Sequence, residues 1–211
     1  KMKEKHTNLY NHLKSYYEGL NKRNISETGI RYEWYCLQRC AASYYELFDE
    51  LKIIWPLTAD KWGFTLDNNK HYLTSGGFFL VSKEFSIKTL LSVLNSKVLE
   101  YYFKFIGVMT AGGAFTLKKA TIELLPVVIP QNTSLFEIMA DYMTIINSLD
   151  KYDNINPHVP NSHIAQLFDE VIDAMVMELY FKEEFQKVSI EFIKYAERDF
   201  ESIEGKSEKE Q

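Results

Sequence analysis

Two loops in this 211-residue chain bring lysines together with amide and hydroxyl side chains and paired glycines. The first runs from Lys61-Trp62 through Asn68-Asn69-Lys70-His71 to Thr74-Ser75-Gly76-Gly77. The second runs from Thr110-Ala111-Gly112-Gly113-Ala114-Phe115-Thr116 into Lys118-Lys119. Lysine grips phosphate, asparagine, serine and threonine carry the donors and acceptors that read base edges, and glycine lets a backbone approach a duplex closely. Lys61, Trp62, Asn68, Asn69, Lys70, Thr74, Ser75, Thr110, Thr116, Lys118 and Lys119 are therefore the candidate DNA contacts. A short pattern, Thr-Ser/Ala-Gly-Gly-x-Phe, recurs at 74–79 and 110–115. Glycine pairs before an aromatic strand also supply an ordinary turn into a sheet. Lys118 and Lys119 open a short helical pattern, where the helix dipole disfavours cations. A bound phosphate would remove that conflict, and so would side chains extended into solvent. Trp55 sits in an apolar run and reads as core, whereas Trp62, between Lys61 and Gly63, is the better candidate for exposure.

Catalytic chemistry has no comparable signal. Base methylation needs a glycine-rich turn for the methyl donor and an Asn-Pro-Pro-aromatic tetrapeptide, and Asn156-Pro157 is followed by His158. Glu50-Leu51-Lys52 matches part of a metal-dependent nuclease motif, but Asp49 and Glu50 read as the solvated end of a helix. His6, His12, His71, His158 and His163 lack metal-ligand spacing and read as surface histidines. Cys36 and Cys40, on successive helical turns, read as small core residues in a reducing compartment. No catalytic and no metal-binding residue is expected.

The elements that must position the loops follow from periodicity. An amphipathic helix is expected over the first 24 residues (Leu9, Leu13, Tyr16, Tyr17, Leu20), then a helical region from Tyr32 to about Glu50. There the aromatics Tyr32, Trp34 and Tyr35 read as core beside solvated Arg31 and Arg39. Lys52–Pro56 reads as a buried strand, and strand-like alternation continues through Phe64–Leu66, Tyr72-Leu73 and Phe78–Val81. Two helical stripes, Ile87–Leu94 and Val98–Phe105, meet at Asn95-Ser96. Phe115–Leu117 reads as a strand, Lys118–Leu124 as a short helix and Pro126–Pro130 as a closing extended segment. From residue 131 the period is helical, with a proline-containing linker at 151–161.

Charge divides the chain at the same place. The net charge is −5, yet residues 1–130 carry 17 basic and 12 acidic side chains, net +5, and residues 131–211 carry 7 and 17, net −10. A duplex would meet the first part and be repelled by the second. No apolar run is long enough for a membrane span, so a soluble, cytoplasmic protein is expected. A chain that opens on Lys1 with Met2 behind it reads as a piece of a longer polypeptide.

The ordered segments Tyr32-Glu33-Trp34-Tyr35-Cys36-Leu37-Gln38-Arg39, Lys52-Ile53-Ile54-Trp55-Pro56, Phe64-Thr65-Leu66-Asp67, Leu94-Asn95-Ser96-Lys97-Val98, Gly112-Gly113-Ala114-Phe115 and Leu124-Leu125-Pro126 resemble the TaqI-like C-terminal specificity domain. That family is the target-recognition part of bacterial restriction-modification DNA methyltransferases, including single-chain enzymes that also cut. The resemblance covers about residues 25–130, and Phe168–Phe181 is similar to the helical tail that often closes such proteins. Where relatives commonly place tyrosine or arginine after the glycine turn, this chain has Ala114 and Thr116.

The resemblance implies an α+β fold: a linker helix (1–24), a mixed α/β target-recognition domain (25–130) and an acidic all-helical region (131–211). It also implies a non-catalytic module whose partners are double-stranded DNA and an upstream adenine methyltransferase domain of the same polypeptide, in which S-adenosylmethionine would bind. The alternative is a protein-interaction module docking partners through the acidic helices, with Met139, Met143, Met175 and Met177 as contacts.

Overall fold

The computed structural model describes residues 2–26, 32–36, 44–149 and 154–206. Two compact units are present, residues 1–46 and 47–211. In the first, the single amphipathic helix expected from periodicity is three: α1 (Met2–Lys5), α2 (Thr7–Lys14) and α3 (Tyr17–Ser26). The breaks fall at His6, whose backbone is non-helical, and at Ser15, whose hydroxyl donates back to the His12 carbonyl (2.6 Å). Side chains of this kind compete with the helix for backbone hydrogen bonds. Tyr10, Tyr17 and Tyr35 meet Trp34 edge-on at 5.2–5.4 Å. Residues 32–36 form turns where a helix was expected, and the end of that stretch is the 3-10 helix Tyr45–Asp49; residues 37–43, with Cys40 and Arg39, and Arg31 lie outside the described residues.

The second unit is α+β. A 3-10 helix, Tyr45–Asp49, leads into β1 (Lys52–Pro56), which continues through Leu57 into β2 (Thr58–Ala59). β3 (Thr65–Asp67) and β4 (Gly77–Leu80) flank β1 antiparallel, giving a sheet of order β3-β1-β4. β5 (Val108–Met109) and β6 (Phe115–Thr116) form a hairpin, and a second sheet of order β2-β6-β5. Tyr72-Leu73, expected as a strand, is irregular; Tyr72 stacks on Phe48 at 4.8 Å.

Alternation sorts β1 into two faces. Ile53 and Trp55 belong to the core against α4 (Ile87–Asn95), while Ile54 pairs with Phe79, whose ring meets Phe48 at 4.7 Å. α4 is buried almost all round because the first sheet lies on one side and α7 (Ser134–Ser148) on the other. Its polar residues Thr89 and Ser92 are satisfied by the Thr133 and Phe136 carbonyls of that neighbour. After Ser96 the chain turns into α5 (Lys97–Ile106), then reaches the one-turn α6 (Lys119–Ile122). α5 ends at Gly107, where a Cβ would overlap the Phe103 ring, so only glycine lets the chain leave over that buried aromatic.

Composition changes at residue 130, but packing does not. One core includes Ile53, Leu94 and Phe103 together with Phe136, Met139, Met175 and Ala196. α8 (Asn161–Tyr180) packs on α7 and α5, α9 (Lys182–Lys187) follows it, and α10 (Phe192–Asp199) packs on α8. The Tyr180 hydroxyl donates to the Pro126 carbonyl (2.6 Å) and accepts from the Val128 amide, tying α8 to the extended 126–130 segment.

Candidate nucleic-acid interface

The β1–β2 ribbon is the spine of the candidate surface. At its middle, the Leu57 amide donates to the Gly76 carbonyl (2.8 Å) and its carbonyl accepts from the Leu117 amide (2.7 Å). Thr74-Ser75-Gly76 therefore flanks the ribbon on one edge and Thr116-Leu117-Lys118 on the other, about 10 Å apart at ordinary strand spacing. The two glycine turns close alike: the Gly77 amide donates to the Thr74 carbonyl and the Gly113 amide to the Thr110 carbonyl. They differ at the tip. Gly113 has φ +84, a conformation that favours glycine, and the Thr110 hydroxyl accepts from the Ala114 amide (3.0 Å). Thr74, Ser75 and Thr110 are exposed and Thr116 is half-buried.

Asn68, Asn69 and Lys70 lie at the other end. β3 reaches Asp67 opposite Lys52, so the loop that follows leaves the ribbon some 20 Å of extended chain away from Thr58. Its anchor is a fully buried ion pair: Lys52 Nζ lies 2.6 Å from Asp67 Oδ2, with side-chain exposures of 0% and 2%. Lys52 also donates to the Phe48 carbonyl (2.7 Å). The Asp67 carboxylate accepts from the Asn69 and His71 amides (both 3.0 Å) and from His71 Nδ1 (2.8 Å). Burial pushes the Asp67 carboxyl up, but Lys52, His71 and the two amides outweigh it and hold it at about 2. Lys70 takes φ +57 within this turn.

Asn68 and Asn69 border a cleft of about 750 Å³ whose far wall is α7 and α8, including Thr144, Asn147 and Asp169. Burial, with Asp173 nearby, raises the Asp169 carboxyl, and Lys97 opposes the rise. The loop predicted as one surface from Lys61 to Gly77 is thus divided between the two ends of β1.

Trp62 corrects the expectation of exposure. It is half-buried, donates from Nε1 to the Leu94 carbonyl (2.8 Å) and meets Phe64, Phe103 and Phe115 at 5.1–5.6 Å. Lys119 begins a helix of a single turn, and its ammonium lies 3.5 Å from Glu123, so the dipole conflict is answered locally without a phosphate. Lys70 faces Asp49 at 3.9 Å in an exposed pair of little energetic weight. Lys61 and Lys118 are exposed and have no carboxylate partner among the described residues. Lys88 and Lys97, by contrast, pair with Asp141 (2.8 Å) and Asp173 (2.9 Å) of the acidic helices. Met139 and Met175 are fully buried and Met143 packs on the core, leaving Met177 as the accessible methionine of the four proposed for docking.

The Lys52–Asp67 pair escaped periodicity, although a lysine inside a buried strand requires a carboxylate partner and so signals one. Asn95 is a second such residue. Its side-chain amide donates to the Phe64 carbonyl (3.0 Å) and accepts from the Phe64 amide (2.7 Å), clamping β3 to the end of α4. Among the described residues, no group of three or more His, Cys, Asp or Glu side chains is placed to hold a metal ion, and no helix is long and apolar enough to cross a membrane.

The TaqI-like C-terminal specificity domain matches residues 4–127, and the chain belongs to that family. The match reaches further toward the N-terminus than residue 25 and stops before the acidic helices. A specificity domain serves DNA recognition in restriction-modification enzymes and is generally non-catalytic. A search of curated proteins finds none that matches.

Proposed function

We propose that this chain selects the DNA sequence for a restriction-modification enzyme, holding the duplex for an adenine methyltransferase, and for a nuclease where the enzyme also cuts, carried elsewhere in the same bacterial cytoplasmic polypeptide. The family match over residues 4–127 carries this reading. S-adenosylmethionine belongs to that catalytic part. In this reading Lys61 and Lys118 contact phosphate, with Lys70 and Lys119 contributing more weakly, and Thr74, Ser75, Thr110, Thr116, Asn68 and Asn69 supply polar groups to base edges. Trp62 supports the surface from beneath. The acidic helices lie on α4 and α5, with α7 and α8 facing β3 and the Asn68–Asn69 loop only across the cleft, and take no part in DNA contact; two of their carboxylates neutralise Lys88 and Lys97.

Salt dependence tests the phosphate contacts. Each phosphate contact contributes a slope of about 0.9 in log K against log salt. Lys61→Ala and Lys118→Ala should each weaken binding to mixed-sequence duplex evenly and lower the slope by roughly that amount. An unchanged slope in both variants removes these lysines from the interface.

A further inference from the structure

We propose that His71 reads sequence, its Nε2 accepting a hydrogen bond from the exocyclic amino group of an adenine or cytosine in the major groove. The inference rests on the DNA-recognition reading and adds a residue that sequence inspection assigned to the ordinary surface. The His71 side chain is 64% exposed, yet its Nδ1 lies 2.8 Å from the nearly inaccessible Asp67 Oδ1. The His71 backbone amide donates to the other oxygen of the same carboxylate (3.0 Å). Ring and backbone are thus fixed by one group, which is itself held by Lys52 and, through Lys52, by the Phe48 carbonyl. The orientation of a surface imidazole is traced to the core.

The chemistry follows from what Asp67 can do. An ionised carboxylate only accepts, so Nδ1 holds a proton toward Asp67, and in the neutral ring, the form this role requires, a lone pair is left on Nε2. Phosphate oxygens are acceptors and cannot satisfy that lone pair. In the major groove the donors are the adenine N6 and cytosine N4 amino groups. The remaining charges around the ring suit this role: Lys70 is the next residue along, and Asp49 faces Lys70 rather than the ring. Tyr72, stacked on Phe48, holds the chain on the far side. A reader needs its polar group held rigidly before it meets a base, and here two buried charges do that.

The test is selection from a pool of randomised duplexes by the full chain, comparing wild type with His71→Ala and His71→Gln. Wild type should enrich a motif. His71→Ala should lose preference at one adenine or cytosine position while total affinity for the pool changes little, and His71→Gln, which brings a donor as well as an acceptor, should alter the preferred base there. Removing the amino group from that base should weaken wild type by roughly 2- to 13-fold, as for one hydrogen bond, and leave His71→Ala unaffected. A motif identical in all three proteins overturns the role of His71. Absence of any motif with wild type overturns the DNA-recognition reading itself, a different failure.

Discussion

The loop at Asn68–His71 and the hairpin tip at Thr110–Ala114 display similar side chains, but they are held by different forces. Three hydrogen bonds to a carboxylate that is itself paired with Lys52 inside the core fix the first. Exposed hydrogen bonds around Thr110 and one glycine in the left-handed region fix the second. Sequence reading needs polar atoms in set positions, whereas gripping a phosphate backbone tolerates adjustment. If DNA binds as proposed, the anchored loop suits the most exacting base contacts, and the hairpin tip beside Lys118 suits contacts that tolerate adjustment.

The largest effect should come from breaking the anchor. Lys52→Met leaves the Asp67 charge buried without its partner and should cost about 3–5 kcal/mol in denaturant unfolding. Replacing both residues (Lys52→Met with Asp67→Leu) should recover much of that stability without restoring the order of residues 68–71, separating folding from loop positioning. Next is acid sensitivity. Asp67 titrates at about 2 when folded against an ordinary 3.8, so its contribution is complete above the ordinary value and is lost as pH falls from there toward 2. The loss should be roughly 2 kcal/mol, and Asp67→Asn should flatten this part of the stability profile. On the hairpin side, Gly113→Ala meets φ +84 and should cost about 1 kcal/mol, seen as a small drop in melting temperature. Thr110→Val removes the hydroxyl that accepts from the Ala114 amide and should cost about 1 kcal/mol or less. If the hairpin variants were to destabilise as much as Lys52→Met, the contrast between the regions would collapse.

Much of the framework was legible in the sequence. The apolar periods of α4, α5, α7 and α8 are strong, β1 is a continuous buried run, and both glycine turns lie where strands begin. The rest depended on partners distant in the chain. β2 and β5 are two residues each and carry no period. Trp62 looks exposed beside Lys61 and Gly63, but the carbonyl it binds is at Leu94. His71 looked like any surface histidine because what distinguishes it is a carboxylate held by Lys52, a residue fifteen and more positions earlier in the strand run. The motif Leu94-Asn95-Ser96-Lys97 turned out to be architectural: its carbonyl, amide, hydroxyl and ammonium bind Trp62, Phe64, Val93 and Asp173 in turn.

The central claim, that DNA lies along the β1–β2 ribbon and avoids the acidic helices, is tested most directly by amide hydrogen exchange of the full chain with and without mixed-sequence duplex. Slowed exchange is expected at residues 68–77 and 110–119, with α8 and α10 unchanged. Protection confined to α8 and α10, with those loops exchanging as before, would contradict it.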